Sequence, residues 1–135
     1  MLLPNLIFSY LLTALVFFAI DIAWLGFIAK GLYRKYLGAF LTDHVNWTAA
    51  IIFYLLFIVG IFIFVILPSV EKNSLVKAIG YGALFGFFTY ATYDLTNLAT
   101  LKDWPLTIVF IDITWGSLLT AMVSAAGYGI VKWLS

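Results

Sequence analysis

Three aspartates lie inside segments of the chain that are otherwise strongly apolar: Asp21, Asp94 and Asp112. A charged side chain at the centre of a transmembrane helix costs roughly 2.5–3.5 kcal/mol on insertion scales, so such residues face the bundle interior or a wet cavity and mark functional sites. Shielded carboxyl groups can transfer protons or hold a polar head group. We therefore take these three aspartates as candidate catalytic residues.

The depths of the three carboxyl groups in the membrane can be compared from the sequence. Asp21 lies seven residues before the end of its predicted span, Asp94 four before the end of its own, and Asp112 seven after the start of the last span. At about 1.5 Å per residue, each lies roughly 6–11 Å below the same membrane face. The sequence therefore predicts that they converge on one interior cavity, where like charges prevent all three from being ionised together.

Two tryptophans accompany the aspartates at helical spacing. Trp24 follows Asp21 by three residues and Trp115 follows Asp112 by three. Residues three apart share a helix face, so each indole N–H can reach the neighbouring carboxylate. We predict that both tryptophans help to bind a ligand.

Further polar groups line the predicted third span. Tyr90, Asp94 and Asn97 recur at intervals of four and three residues, and Tyr93 shares an overlapping stripe with Asn97. We expect Asn97 and at least one of the two tyrosines to join the carboxylates as ligand-binding residues. The alternative is that these side chains only fix helix packing, at about 0.6 kcal/mol per hydrogen bond.

The composition indicates the kind of protein in which the aspartates lie. Apolar residues make up 65% of the 135 residues and charged residues 10%, against about 25% charged in soluble domains. A soluble domain of this size could not bury so much apolar surface. The net charge of +1 offers no basic field for nucleic acid. With no cysteine and a lone histidine, His44, in a connection, we expect no cofactor and no metal.

Four stretches have the length and apolarity of a membrane helix, and no alternating pattern suggests a barrel. We predict an all-α integral membrane four-helix bundle in a single domain, with spans at about 5–28, 47–67, 75–98 and 105–133.

Local signals indicate where the helices end. Pro68 is expected to stop the second span, and Asn73 or Ser74 to cap the third. Asp103 is a candidate cap for the fourth.

Small and aromatic residues elsewhere have a simpler interpretation. The pattern Gly82-x-x-x-Gly86 and the small residues of 121–129 favour close helix contact. Trp47, Trp104 and Trp133 lie near span ends, where tryptophan usually anchors a helix at the interface.

The connection between the first two spans is long and patterned. Leucines and aromatic residues recur at helical spacing in Gly31–Leu41, with Arg34 and Lys35 between them. This predicts a short amphipathic helix along the membrane surface near the mouth of the site; a mobile loop is the alternative. Arg34 and Lys35 could attract anionic head groups as part of the ligand-binding set.

Three stretches of the chain resemble a known family: Asp21–Trp24, Tyr90–Pro105 and Asp112–Gly116. They are similar to small bacterial membrane proteins grouped as domain of unknown function 2177, and the likeness extends over essentially the whole chain. The resemblance implies a bacterial, four-span membrane protein. The resemblance indicates neither a particular activity nor a particular cofactor.

The leading functional hypothesis is a one-sided intramembrane pocket that binds a lipid-like or amphipathic molecule and acts on it by acid/base chemistry. A small proton-coupled transporter working as a homodimer is one alternative, and a structural subunit of a membrane complex is another. The expected partners are membrane lipids or an amphipathic small molecule, without nucleic acid. The expected location is a bacterial inner membrane, crossed several times.

Overall fold

A computed structural model describes residues 1–135 and confirms an all-helical chain. The elements, in order, are α1 (Leu3–Ala23), π1 (Trp24–Ile28), α2 (Leu32–Leu37), α3 (Trp47–Ile61), π2 (Phe62–Ile66), α4 (Leu67–Glu71), α5 (Leu75–Thr100) and α6 (Leu106–Leu134). The two π segments continue the α-helices before them, so four long rods make up the bundle.

Three of the rods are long and apolar enough to cross a membrane: Leu3–Ile28, Trp47–Glu71 and Leu106–Leu134. The fourth, α5, has 26 residues but is more polar, because it carries Lys77, Asp94 and Asn97 together with several threonines and glycines. The number of four spans therefore stays a prediction. Large apolar side chains cover the outside of the bundle, as expected where lipid is the solvent.

The main core lies between α1, α3, π2 and α6. Its fully buried side chains are Phe17, Ile58, Ile61, Ile66, Leu119 and Val123. Since these residues come from distant parts of the chain, the core fixes how the helices that carry the aspartates lie against one another.

The helix ends agree with the predictions at one position and disagree at another. The Ser74 hydroxyl accepts a hydrogen bond from the Lys77 amide at 3.1 Å, which confirms it as the cap of α5. The prediction of Asp103 as the cap of α6 was wrong, because α6 is preceded by Pro105 and has no side-chain cap. Asp103 instead occupies the left-handed turn between the two helices, at φ 59°.

Pro68 does not stop the second rod, which continues to Glu71. Just before the proline, the amide of Leu67 bonds to the carbonyl of Phe62, five residues earlier. The chain thus passes Pro68 while the hydrogen-bond register is changing, where a missing amide costs less than it does inside a regular helix.

The amphipathic helix forms but is shorter than the predicted Gly31–Leu41. It covers Leu32–Leu37 and is followed by a turn that begins at Gly38, a poor helix former. Leu37 is buried against Trp104, Ile108 and Val109.

This contact also corrects the expected role of Trp104. The side chain is only 6% exposed and packs under α2, whereas Trp47 and Trp133 are largely exposed. Burial beneath the amphipathic helix removes Trp104 from the interface with lipid.

Small residues let α5 and α6 approach closely, as predicted. A Cβ atom added at Gly86 would overlap the carbonyl oxygen of Gly116, and one at Gly82 would lie 2.6 Å from the Ser124 hydroxyl. This packing fixes the relative position of Asp94 on α5 and Asp112 on α6.

Candidate functional site

Asp112 is held by a hydrogen-bonded chain that runs through the amphipathic helix. The Tyr33 hydroxyl of α2 donates to Asp112 Oδ1 at 2.9 Å, and the Trp24 indole N–H donates to the Tyr33 oxygen at 3.0 Å. Burial, followed by the charge of Asp112, raises the pKa of the Tyr33 phenol above its usual range. Tyr33 therefore remains protonated and available as a donor at neutral pH.

The two predicted tryptophans meet each other across the bundle. Trp24 and Trp115 stack with ring centroids 4.4 Å apart and planes inclined by 8°. Trp115 does not bond to Asp112, its neighbour in sequence; its indole N–H points at Asp21 Oδ1, 3.4 Å away. The predicted contact of each indole with the carboxylate of its own helix was wrong: the Trp24 indole donates to the Tyr33 hydroxyl and the Trp115 indole to Asp21. The prediction considered only contacts within one helix.

Asp94 and Asp112 form a carboxyl pair between α5 and α6. Their side chains are close enough to share a hydrogen bond, which requires that one of the two carries a proton. Asp94 is 1% exposed, and its Oδ2 atom accepts no hydrogen bond from an amide, hydroxyl or indole.

Two tyrosines close the space around Asp21. The Tyr54 hydroxyl of α3 lies beside the Asp21 carboxyl. The Tyr90 ring packs on Gly116, and both Asp21 and Asp112 lie within its electrostatic reach. All three aspartates are buried, and Asp112 links them into one polar cluster, because it lies within electrostatic reach of Asp21 and within hydrogen-bond distance of Asp94.

Tyr93 and Asn97 lie at the outer edge of the cluster. Their side chains neighbour each other, and Tyr93 lies near Asp94 while remaining 54% exposed. Its ring also meets Trp104 edge-on at 5.9 Å. Of the two predicted tyrosines, Tyr90 is thus the one inside the cluster.

The two basic candidates point away from the carboxylates. Arg34 and Lys35 are exposed on α2, and the Lys35 ammonium lies over the Tyr36 ring at 5.3 Å. The hydrogen-bond partners of the aspartates are tyrosine, tryptophan and one another. No cationic side chain is therefore bound to the cluster.

Two grooves lie elsewhere on the bundle. One is lined by side chains of α1, α3, π2 and α4, and the other by side chains of α5 and α6, without any of the three aspartates. The predicted cavity stays a prediction. No set of three acidic or histidine side chains is arranged to hold a metal ion.

Comparison with known proteins assigns the chain to a family. The sequence pattern of the family described as "Predicted membrane protein (DUF2177)" matches residues 6–129. The chain belongs to this family. It is a multi-pass membrane protein. No curated protein and no solved structure matches the chain.

Two members of the cluster in this DUF2177 protein escaped the sequence interpretation. Tyr33 looked like one more apolar position of the amphipathic helix, and Tyr54 looked like an isolated polar residue of the second span. Both contacts join residues far apart in the chain, which helical spacing cannot reveal. The one available signal was that a phenol offers a donor, which buried carboxylates need.

Proposed function

We propose that this DUF2177 protein binds an amphipathic, lipid-like ligand at the cluster formed by Asp21, Asp94 and Asp112, beneath helix α2. The protein would cross a bacterial inner membrane four times, with α5 as the most polar span. Its partners would be membrane lipids or an amphipathic small molecule.

The observation that carries this proposal is the origin of the polar contacts. Tyr33 on α2, Trp24 on π1 and Trp115 on α6 donate toward carboxylates or toward one another across helix boundaries. Keeping three carboxyl groups inside the bundle is costly, and intramembrane ionisable residues usually mark a functional site. A purely structural role in helix packing would need fewer buried carboxyl groups.

The position of the cluster suits a ligand with a polar head and an apolar tail. The aspartates lie six or seven residues from the ends of their rods, so a head group at the cluster leaves a tail at the depth of lipid. Arg34 and Lys35, exposed on α2 above the cluster, would guide charged head groups at the membrane surface.

The Asp94–Asp112 pair supplies acid/base chemistry to the same site. One carboxyl group holds a proton while its neighbour can accept one, which is the division of roles that general acid/base catalysis requires. Asp21, held separately by Trp115, would bind or orient the head group.

The same carboxyl pair favours a second candidate, a proton-coupled transporter. A proton shared between two carboxyl groups can be exchanged for another ligand, and two copies of the chain would supply the pathway that one small bundle lacks. Transport requires that the ligand leaves on the opposite face, whereas binding and catalysis do not.

The experiment purifies the protein in lipid nanodiscs and detects retained amphipathic molecules by native mass spectrometry. The variants are Asp21→Asn, Asp94→Asn and Asp112→Asn, which keep size and hydrogen bonding but remove the charge. Asp103→Asn is the matched control, because Asp103 lies in an exposed turn. We expect the parent and the control to retain a molecule that the three variants lose. Equal retention by all five proteins would refute the proposal.

A further inference from the structure

The atoms left free at the cluster are hydrogen-bond acceptors. Building on the proposed function, we propose that the head group is an ammonium whose N–H groups bind between Asp94 and Asp112, so that the ligand is an amphipathic amine. Its binding would displace the proton that the two carboxyl groups share.

The charges around the cluster support a cationic head group. All three carboxyl groups are buried, and Asp112 lies within electrostatic reach of both Asp21 and Asp94, while Arg34 and Lys35 are exposed on α2. A phosphate or carboxylate head group would add negative charge to a site of low dielectric that already repels it. A cationic head group would instead be attracted by the carboxylates.

The unpaired oxygen of Asp94 indicates that the head group has N–H donors. Asp94 Oδ2 is buried and accepts no hydrogen bond from an amide, hydroxyl or indole. Leaving such an acceptor unpaired is costly, and charge-assisted N–H···O bonds are among the strongest available. An ammonium group offers three such donors, whereas a trimethylammonium group offers none.

The aromatic rings add a second attraction for a cation. Trp24 is half-buried, and its stack on Trp115 covers one face, so its exposed part lies on the other face or at its edge. Tyr54 and Tyr90 are also half-buried beside the carboxyl groups. Cations are attracted to the faces of such rings.

Binding is then coupled to one proton. In the free site, a proton lies between Asp94 and Asp112. On binding, this proton leaves for water, and separate N–H groups of the ammonium donate to the two ionised carboxylates, so the site exchanges one positive charge for another. Titratable groups face this pair from every packed element: Asp21 on α1, Tyr33 on α2, Tyr54 on α3, and Tyr90 and Tyr93 on α5. The tyrosines stay neutral in the physiological range, so the exchanged proton belongs to the carboxyl groups.

The test uses four probes with the same twelve-carbon chain: dodecylammonium, dodecyltrimethylammonium, dodecylphosphocholine and laurate. Each is titrated by calorimetry into the protein in phosphatidylcholine nanodiscs, with empty nanodiscs subtracted. We expect dodecylammonium to bind at least about tenfold more tightly than the others, equivalent to about 1.4 kcal/mol. Its affinity should fall by about tenfold for each unit by which the pH is lowered, since one proton competes with it.

Variants separate the inference from the function on which it rests. Asp94→Asn and Asp112→Asn should abolish both the preference for dodecylammonium and the pH dependence, while Asp103→Asn should keep both. Should either variant fail to fold, the pH dependence of the parent decides.

The unfavourable outcomes are also distinct. Tighter, aspartate-dependent binding of laurate or dodecylphosphocholine would overturn the inference and leave the proposed function standing. Equal binding of the two cations would overturn the N–H donor role. If no probe binds in a way that depends on the aspartates, both proposals fail.

Discussion

Two groups of buried polar side chains in the bundle form hydrogen bonds in opposite ways. At the carboxylate end, which holds the three aspartates, hydrogen bonds join distant parts of the chain. The Tyr33–Asp112 and Trp115–Asp21 bonds link residues 79 and 94 positions apart. These bonds exist only when the whole bundle is assembled.

At the hydroxyl end, defined by Ser9, Thr13, Thr120 and Ser124, polar groups serve their own helices. Ser9, Thr13 and Thr120 each donate to the carbonyl four residues earlier, and Ser124 has no partner. All four are fully buried, so solvent does not satisfy them. They act as small residues that let helices approach.

The difference shows how to distinguish a site from packing inside a membrane. A hydroxyl that bonds within its own helix neither gains nor loses a partner when helices associate. Such a residue therefore affects helix packing only through the small size of its side chain. A carboxylate cannot bond in this way and must be supported by other helices. Substitutions at the hydroxyl end should therefore act through volume, and those at the carboxylate end through specific bonds.

The largest expected effect comes from adding volume where α5 meets α6. In Gly86→Leu, the new Cβ would overlap the Gly116 carbonyl, which is backbone and cannot move aside. We expect a loss of about 3 kcal/mol in the free energy of unfolding, measured by denaturation in detergent.

The same helix provides the control. Gly80→Leu adds the same side chain at a position with no atom within 4 Å, so stability should change little. If both leucine variants unfold alike, close packing between α5 and α6 is not what holds this half together.

A second substitution weakens the carboxylate end while leaving the core intact. Tyr33→Phe removes the donor to Asp112 and the acceptor for the Trp24 indole. A buried bond to a charged partner contributes about 1.5–3 kcal/mol, so the amides of α2 should exchange with deuterium roughly ten- to a hundredfold faster. Overall unfolding should change less, because α2 is a short surface helix.

Tyr36→Phe is the matched control for that measurement. Tyr36 lies on the same helix, is also half-buried, and its hydroxyl forms no hydrogen bond to a carboxylate. Faster exchange of α2 in both variants would show that loss of any tyrosine hydroxyl loosens the helix, and would remove the special role of Tyr33.

Much of the fold could be predicted from local patterns. The apolar segments, the Ser74 cap and the glycines of α5 were readable because each depends on residues within a few positions. The continuation of the second rod past Pro68 was not, because a change of hydrogen-bond register leaves no mark in the residue types.

The proximity of the carboxyl groups was predictable from the sequence, but their hydrogen-bond partners were not. The expected proximity of Asp21, Asp94 and Asp112 was based on their depth alone, because every span crosses a membrane of the same thickness. The bond of Trp115 to Asp21, and the position of Tyr33 between Trp24 and Asp112, depend on how the helices are rotated against one another. That rotation is set by the packing of many side chains at once.

The smallest expected effect lies at the hydroxyl end. Ser124→Ala removes a buried hydroxyl that has no partner, so stability should stay the same or rise by up to about 1 kcal/mol. Thr120→Val keeps the shape of the side chain and removes only a bond within its own helix, so stability should change by less than the roughly 0.6 kcal/mol of a hydrogen bond between helices. Both changes are measured by thermal unfolding in the same detergent. A large loss in Ser124→Ala would mean that its hydroxyl meets a partner in the membrane-embedded protein, and the hydroxyl end would then have to be regarded as a second polar site instead of packing.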